Sequence, residues 1–188
     1  LHLGASVSPH PPAGEGRQTP REQSIPILVN NLYRLRNQAV LDIKIEICIR
    51  APLSVVWETV ADVRTHTEWM ADAESITLTS DCSSGVGTTF DCVMRIGPFR
   101  TVDRMEITEW VEERTMGVVH RGLISGSGRF TIREVGPSET TFSWEESLKF
   151  PWCIGGGLTG IGSRPVLKAV WRRNLRRLSR LVEDRHRS

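Results

Sequence analysis

Turn signals recur along the middle of this chain too closely for a parallel sheet. Ser83-Ser84-Gly85, Gly97-Pro98, Glu112-Glu113, Gly122 and Gly136-Pro137 divide it into strand-like runs at about 74–80, 87–96, 99–111, 114–121, 124–135 and 139–149. A parallel crossover needs about a dozen residues, and no gap between these runs supplies them. Successive strands must therefore pair antiparallel. One more strand precedes them, because Leu41, Ile43, Ile45, Ile47 and Ile49 alternate with Asp42, Lys44, Glu46, Cys48 and Arg50, the period of a half-buried strand. The sum is an antiparallel sheet of six or seven strands.

Helical patterns flank this sheet. Ala51-Pro52 stops the first strand, proline being favoured in a first helical turn, and Val56, Trp57 and Val60 follow at helical spacing over about 52–60. Asp62 is placed to cap a second short helix reaching about Trp69, with Val63 and Trp69 on a common side. Towards the C-terminus, Pro165 is expected to open a long helix to about Glu183. Leu167, Val170, Trp171, Leu175, Leu178 and Val182 form its apolar stripe, and Arg172, Arg173, Arg176, Arg177 and Arg180 occupy the rest. One apolar stripe calls for one apolar sheet face. The expected fold is α+β, with a curved antiparallel sheet of six to seven strands wrapped around the C-terminal helix and two short helices after the first strand.

Composition narrows the class. Hydrophobic residues at 39% and charged residues at 24% of 188 fit a single packed domain, which is read from residues 41–185. Residues 1–24 hold four of the ten prolines and no apolar period, the mark of a disordered tail, and residues 25–40 read as a short N-terminal arm. Cys48, Cys82, Cys92 and Cys153 are scattered, with no C-x-x-C and no adjacent histidine, so neither a metal site nor a disulfide framework is signalled and a reducing cytoplasm is expected. No apolar run approaches the roughly 18 residues of a membrane span, and no secretory signal is expected. The net charge of +2 hides an asymmetry: Arg164–Ser188 carries nine Lys and Arg against two acids. A solvated helix face is the ordinary account of such a run, and without interleaved aromatics it is no nucleic-acid signature. Transient contact with an anionic membrane surface is a further option.

Strand parity assigns faces. Phe90, Cys92 and Met94 share one side of their strand, as do Met105 with Ile107, Met116 with Val118, and Phe142 with Trp144; Phe130 joins them from the strand between. Trp69 and Met70 from the second short helix, Trp152 from beyond the last strand, and Leu167 and Trp171 from the long helix complete a candidate ligand-binding lining. Core packing is the alternative for any single member; the set favours a cavity, because one helix is too narrow to fill so long a curved sheet. Three polar residues share the inward face: Asp103, His120 and Glu146. Each is a candidate anchor or acid–base group, since a buried charge without a partner is costly. The alternatives are a place at the sheet rim or, for Glu146, an arginine partner.

Gly155-Gly156-Gly157-Leu158-Thr159-Gly160 spells G-x-G-x-x-G, but the expected helix start at Pro165 is too late for a dinucleotide turn. A flap at the cavity mouth, with Phe150, Trp152 and Ile154 as apolar contacts, or an idle connector accounts for it better.

The order of these elements, with Ala51-Pro52-x-x-Val55-Val56-Trp57, the Asp62 to Trp69-Met70 segment, Gly85-x-Gly87, the Gly97-Pro98 hairpin and Thr141-x-Ser143-Trp144, resembles the START-like superfamily, the SRPBCC or polyketide cyclase/dehydrase group. The resemblance covers Leu41 to about Arg185 and implies a helix-grip fold around an apolar cavity. It implies binding or carriage of a lipid, sterol or aromatic polyketide metabolite, or alternatively a cyclase or aromatase without metal; a membrane- or nucleic-acid-binding role for the basic helix is a third reading. The superfamily has no universal catalytic motif to carry over. The lone Tyr33 lies outside the domain and Arg129 has outward parity, which favours binding over catalysis. No cofactor is expected, and the protein is expected to be a monomer or homodimer.

Overall fold

The computed structural model describes residues 40–150 and 156–188. The expected tail and nearly all of the arm, together with Trp152 and Ile154, lie outside the described residues. In chain order the elements are β1 (Val40–Ile49), α1 (Leu53–Ala61), a 3-10 turn (Val63–Thr65), α2 (His66–Trp69), β2 (Ala73–Leu78), β3 (Thr89–Ile96), β4 (Phe99–Val111), β5 (Thr115–Arg121), β6 (Ser125–Gly136), β7 (Glu139–Lys149) and α3 (Gly156–Arg187). All seven strands join one sheet in the order β1-β7-β6-β5-β4-β3-β2. Every neighbouring pair is antiparallel. The short connections from β2 to β7 force a meander, and the helical excursion after β1 carries the chain to the far edge. Register shifts at Ala73/Ser75, Ile107/Glu109 and Glu134/Gly136 insert extra residues into β2, β4 and β6. Such bulges bend a strand and increase its twist.

Helix α3 lies against β1. Its stripe is buried as its spacing requires: Leu167, Trp171, Leu175, Leu178 and Val182 are all core residues. Trp171 stacks on Trp144 of β7 with ring centres 5.4 Å apart. Trp69, wholly buried, meets Phe130, Phe142 and Trp144 and so ties α2 to the sheet. Arg177 and Arg185 fasten α3 to α2 through the Glu68 carbonyl at 2.9 Å and the Glu68 carboxylate at 2.7 Å.

Two boundaries differ from the sequence reading. Pro165 does not open the long helix; it lies inside a helix that begins at Gly156. Proline removes one backbone donor and crowds the carbonyl four residues back. The described part of the glycine run is accordingly helical, neither flap nor connector. The second short helix is also broken into a 3-10 turn and a single α-turn: Asp62 caps it by accepting from Arg64 N at 3.0 Å, close enough to the start to tighten the first turn.

Leu178 has no exposed surface, whereas Arg180 two residues on is exposed. Leu178→Ala is expected to lower stability to urea by about 2–5 kcal/mol, and Arg180→Ala to change it by no more than about 0.5 kcal/mol. Equal effects would mean that the stripe is not the helix's buried face.

Candidate functional site

The inward residues of β3 to β7 do not all meet the helix. Between them and α3 lies a cavity of about 190 Å³. That is roughly ten times the room one water molecule needs. Phe90, Cys92 and Met94 of β3, Met105 of β4 and Met116 with Val118 of β5 line it. Phe130, Trp144 and Glu146 close the middle, Met70 enters from the end of α2, and Leu167 with Trp171 forms the helix side. Asp103 and His120 line it as well. Trp69, Ile107 and Phe142 are fully buried but stand behind the wall, as core. Methionine on three neighbouring strands gives the wall adaptable, polarisable side chains. Burial pushes the Cys92 thiol up to about 12, so it is an inert part of that wall.

Asp103, His120 and Glu146 come from β4, β5 and β7 and converge inside. His120 Nδ1 lies 2.5 Å from Asp103 Oδ2, and His120 Nε2 lies 3.2 Å from Glu146 Oε2. The Trp144 indole N–H donates to Glu146 Oε1 at 2.8 Å. None of the three sits at a wet rim, since Asp103, the most open, keeps only 14% of its side chain exposed. Among the described residues Glu146 has no arginine partner either; it meets histidine and tryptophan.

Glycine makes this convergence geometrically feasible. Strand β6 runs between β5 and β7, and two strand spacings of about 4.8 Å separate His120 from Glu146. Gly128 pairs with Glu146 in register, and a Cβ there would stand 2.5 Å from Glu146 Oε1. With no side chain on β6, the carboxylate lies across the strand towards the imidazole. Gly122 does the same for Asp103, as a Cβ on it would meet Asp103 Oδ1 at 2.6 Å.

Burial is the largest single influence on His120 and works against its charge, but the Asp103 hydrogen bond, the close approach of Glu146 and the charges of both acids together outweigh it and raise the imidazole to about 10. The approach to Glu146 is close but badly aligned, so His120 Nε2 and Glu146 Oε2 both lack a hydrogen-bond partner, as does Asp103 Oδ1. The cluster is a buried imidazolium between two carboxylates with three polar atoms unspent.

A second polar place on the lining is Asp72. Asn174 of α3 donates to its Oδ1 at 2.5 Å and accepts from Ala71 N at 2.9 Å, leaving Asp72 Oδ2 buried and unpartnered. Burial, opposed by the Asn174 hydrogen bond, raises the Asp72 carboxyl above its ordinary range. His66 also lines the cavity and lies 2.8 Å from the Val60 carbonyl through Nε2, and burial pushes it down to about 4. Sequence reasoning missed His66 and Asp72 because one sits in a single helical turn and the other in the link to β2, where strand parity assigns no face. It also missed Leu123 and Ile124 in the β5–β6 turn. Arg129 faces outward as its parity indicates, its guanidinium ion-paired with Glu109 at 2.5 Å.

Among the described residues, no group of three His, Cys, Asp or Glu is arranged to hold a metal ion, and no helix is long and apolar enough to cross a membrane. On the basic face of α3, Arg172, Arg173, Arg176 and Arg180 are exposed.

Comparison with known proteins places this architecture. A family model described as polyketide cyclase/dehydrase and lipid transport matches residues 41–183, and the chain belongs to that family. The fold is that of the START-like superfamily. Similar solved structures include TTHA0849 from Thermus thermophilus (18% identity, 75% of this chain and 96% of that one, TM-score 0.66). The Zhui aromatase/cyclase from a Streptomyces species is similar at 15% identity over 78% of this chain and 96% of its own, with a TM-score of 0.63. A START superfamily protein from Mycobacterium smegmatis aligns at 14% identity, 78% and 97% coverage and a TM-score of 0.59. At these identities the likeness shows the fold alone. No match was found among curated proteins.

Two measurements check the site. A group raised in the folded state stabilises below its unfolded value and loses that contribution as pH climbs through its folded value. His120 should therefore lend stability below about pH 6.5 that is lost progressively towards pH 10. His66, depressed by folding, acts in reverse, its contribution present above about 6.5 and lost as pH falls through about 4. Imidazole resonances should show His120 still protonated at about pH 8 and His66 still neutral at about pH 5; either ring titrating near 6.5 contradicts the geometry. Gly128→Ala, which in an unobstructed strand would be tolerated or gain about 0.5 kcal/mol, should instead destabilise and return His120 towards its ordinary titration. A stable Gly128→Ala protein with an unchanged His120 would show that the glycine does not cradle Glu146.

Proposed function

We propose that this protein binds a small hydrophobic molecule in the cavity between sheet and C-terminal helix, as a binding or carrier protein. The observation that carries this reading is an apolar cavity, walled by Phe90, Met94, Met105, Met116 and Trp171, with the Asp103–His120–Glu146 cluster at its polar wall. Family membership supports it, since lipid transport is among the activities its description names.

A cyclase-type enzyme is the second reading, favoured by the same cluster and by the aromatase/cyclase among the similar folds. The electrostatics weigh against it. A proton shuttle works best with a value near the working pH, whereas His120 is held about three units above neutrality and keeps its proton. With Cys92 inert, the wall also lacks an activated thiol nucleophile.

A thermal-shift screen of fatty acids, sterols and aromatic polyketides tests binding, with native mass spectrometry for any co-purified guest. A guest at about 100 times its Kd should contribute about 2.7 kcal/mol, a rise in Tm of roughly 5–10 °C for a domain of this size. No stabilisation by any apolar compound would count against the cavity as a binding site. Glu146→Gln separates the readings by turnover: an enzyme loses its activity, whereas a carrier has no turnover to lose.

A further inference from the structure

We infer that the guest carries an uncharged hydroxyl, alcoholic or phenolic, on an otherwise apolar body, and that this hydroxyl seats between His120 Nε2 and Glu146 Oε2. The inference rests on the binding role proposed above and adds the chemistry of the guest's polar end.

The two atoms stand 3.2 Å apart, buried, and neither has a hydrogen-bond partner. A protonated imidazole offers only donors, and a carboxylate only acceptors. The place between them therefore asks for a group that accepts from nitrogen and donates to oxygen. A hydroxyl does both, and its oxygen at about 2.8 Å from each completes a triangle on the 3.2 Å base. Both atoms are covered in this conformation. The last torsion of a glutamate is soft, so a turn of the carboxylate opens the place, at the cost of bending the Trp144 N–H hydrogen bond to Oε1, which the hydroxyl's two new hydrogen bonds offset.

Other polar ends fail in identifiable ways. A carboxylate accepts from Nε2 but donates nothing, and it enters a cluster that already holds two negative charges against one positive. An ammonium donates to Oε2 but meets the Nε2–H with a like charge. A carbonyl leaves Oε2 unpartnered. A water molecule could occupy the same place, and a hydroxyl displacing it reproduces its hydrogen bonds, so the exchange loses little.

Matched aromatic probes test this on the full chain at about pH 7, by isothermal titration: naphthalene, 2-naphthol and 2-naphthoate. 2-Naphthol is expected to bind at least about tenfold more tightly than either of the others, a difference of the size that one buried hydrogen-bonding site confers. In Glu146→Gln, which removes one negative charge, the margin over 2-naphthoate should shrink to about threefold or less; Asp103→Asn serves the same purpose should the first variant not fold. If naphthalene binds while 2-naphthoate equals or exceeds 2-naphthol in the unaltered protein, the inference is overturned and the apolar cavity stands. An unchanged margin in the folded variants overturns it too. If none of the three binds, the binding role falls, and this inference with it.

Discussion

A wide sheet with one apolar face and a single helix to cover it sets the terms for this molecule. Seven strands at about 4.8 Å span nearly 29 Å, whereas a helix with its side chains is about 10–12 Å across. Helix α3 settles against β1 and, through Trp171, against Trp144 of β7. The β3–β5 side is left without helical cover. Bulges in β2, β4 and β6 bend the sheet, and α1 and α2 close one end through Trp69 and its aromatic neighbours. What remains open is the cavity. Its sheet methionines, Met94, Met105 and Met116, lie on β3, β4 and β5, away from the edge against which α3 settles.

Into that uncovered region the chain places three ionisable side chains, at a cost that pairing only partly offsets. Removing one partner from a buried ion pair typically destabilises by about 3–5 kcal/mol, yet replacing the whole set with apolar residues is often neutral or better. Stability alone therefore gives no reason for Asp103, His120 and Glu146 to be here. The glycines at 122 and 128 extend the point, since Gly128 weakens the strand it sits in and both stand where any Cβ would collide with one of the two carboxylates. Five positions are thus spent on a cluster that the core does not require, and the cluster faces the cavity.

Much of the fold was legible because its signals are local. Alternation along Leu41–Ile49 and the turn residues from Ser83 to Pro137 each act within a few residues, and all seven strands fall within a few residues of where those signals place them. The start of α3 was not legible, because proline's preference for first turns pointed to Pro165, which the helix in fact carries in its interior. Parity put Asp103, His120 and Glu146 on one face but could not say that they touch. Their meeting depends on register across four strands and on the missing side chain of Gly128, and the Gly126-Ser127-Gly128 spacing beside an inward glutamate was the available clue. Asp72 and Asn174, 102 residues apart, meet only through the docking of α3 and left no trace in any local pattern.

The electrostatics of the cluster bear on the two readings of the cavity. Two carboxylates fix the His120 proton so firmly that the ring serves as a permanent donor rather than a relay. Such a donor suits recognition, because a ring raised to about 10 keeps its proton around neutral pH. Catalysis would need the opposite arrangement, with one carboxylate withdrawn so that the imidazole titrates near neutrality. Gly128 is the position that prevents this: by leaving the lane across β6 empty, it keeps Glu146 within 3.2 Å of the ring. A side chain at Gly128 would push that second carboxylate away from the ring, so one residue on β6 sets how many acids hold the His120 proton.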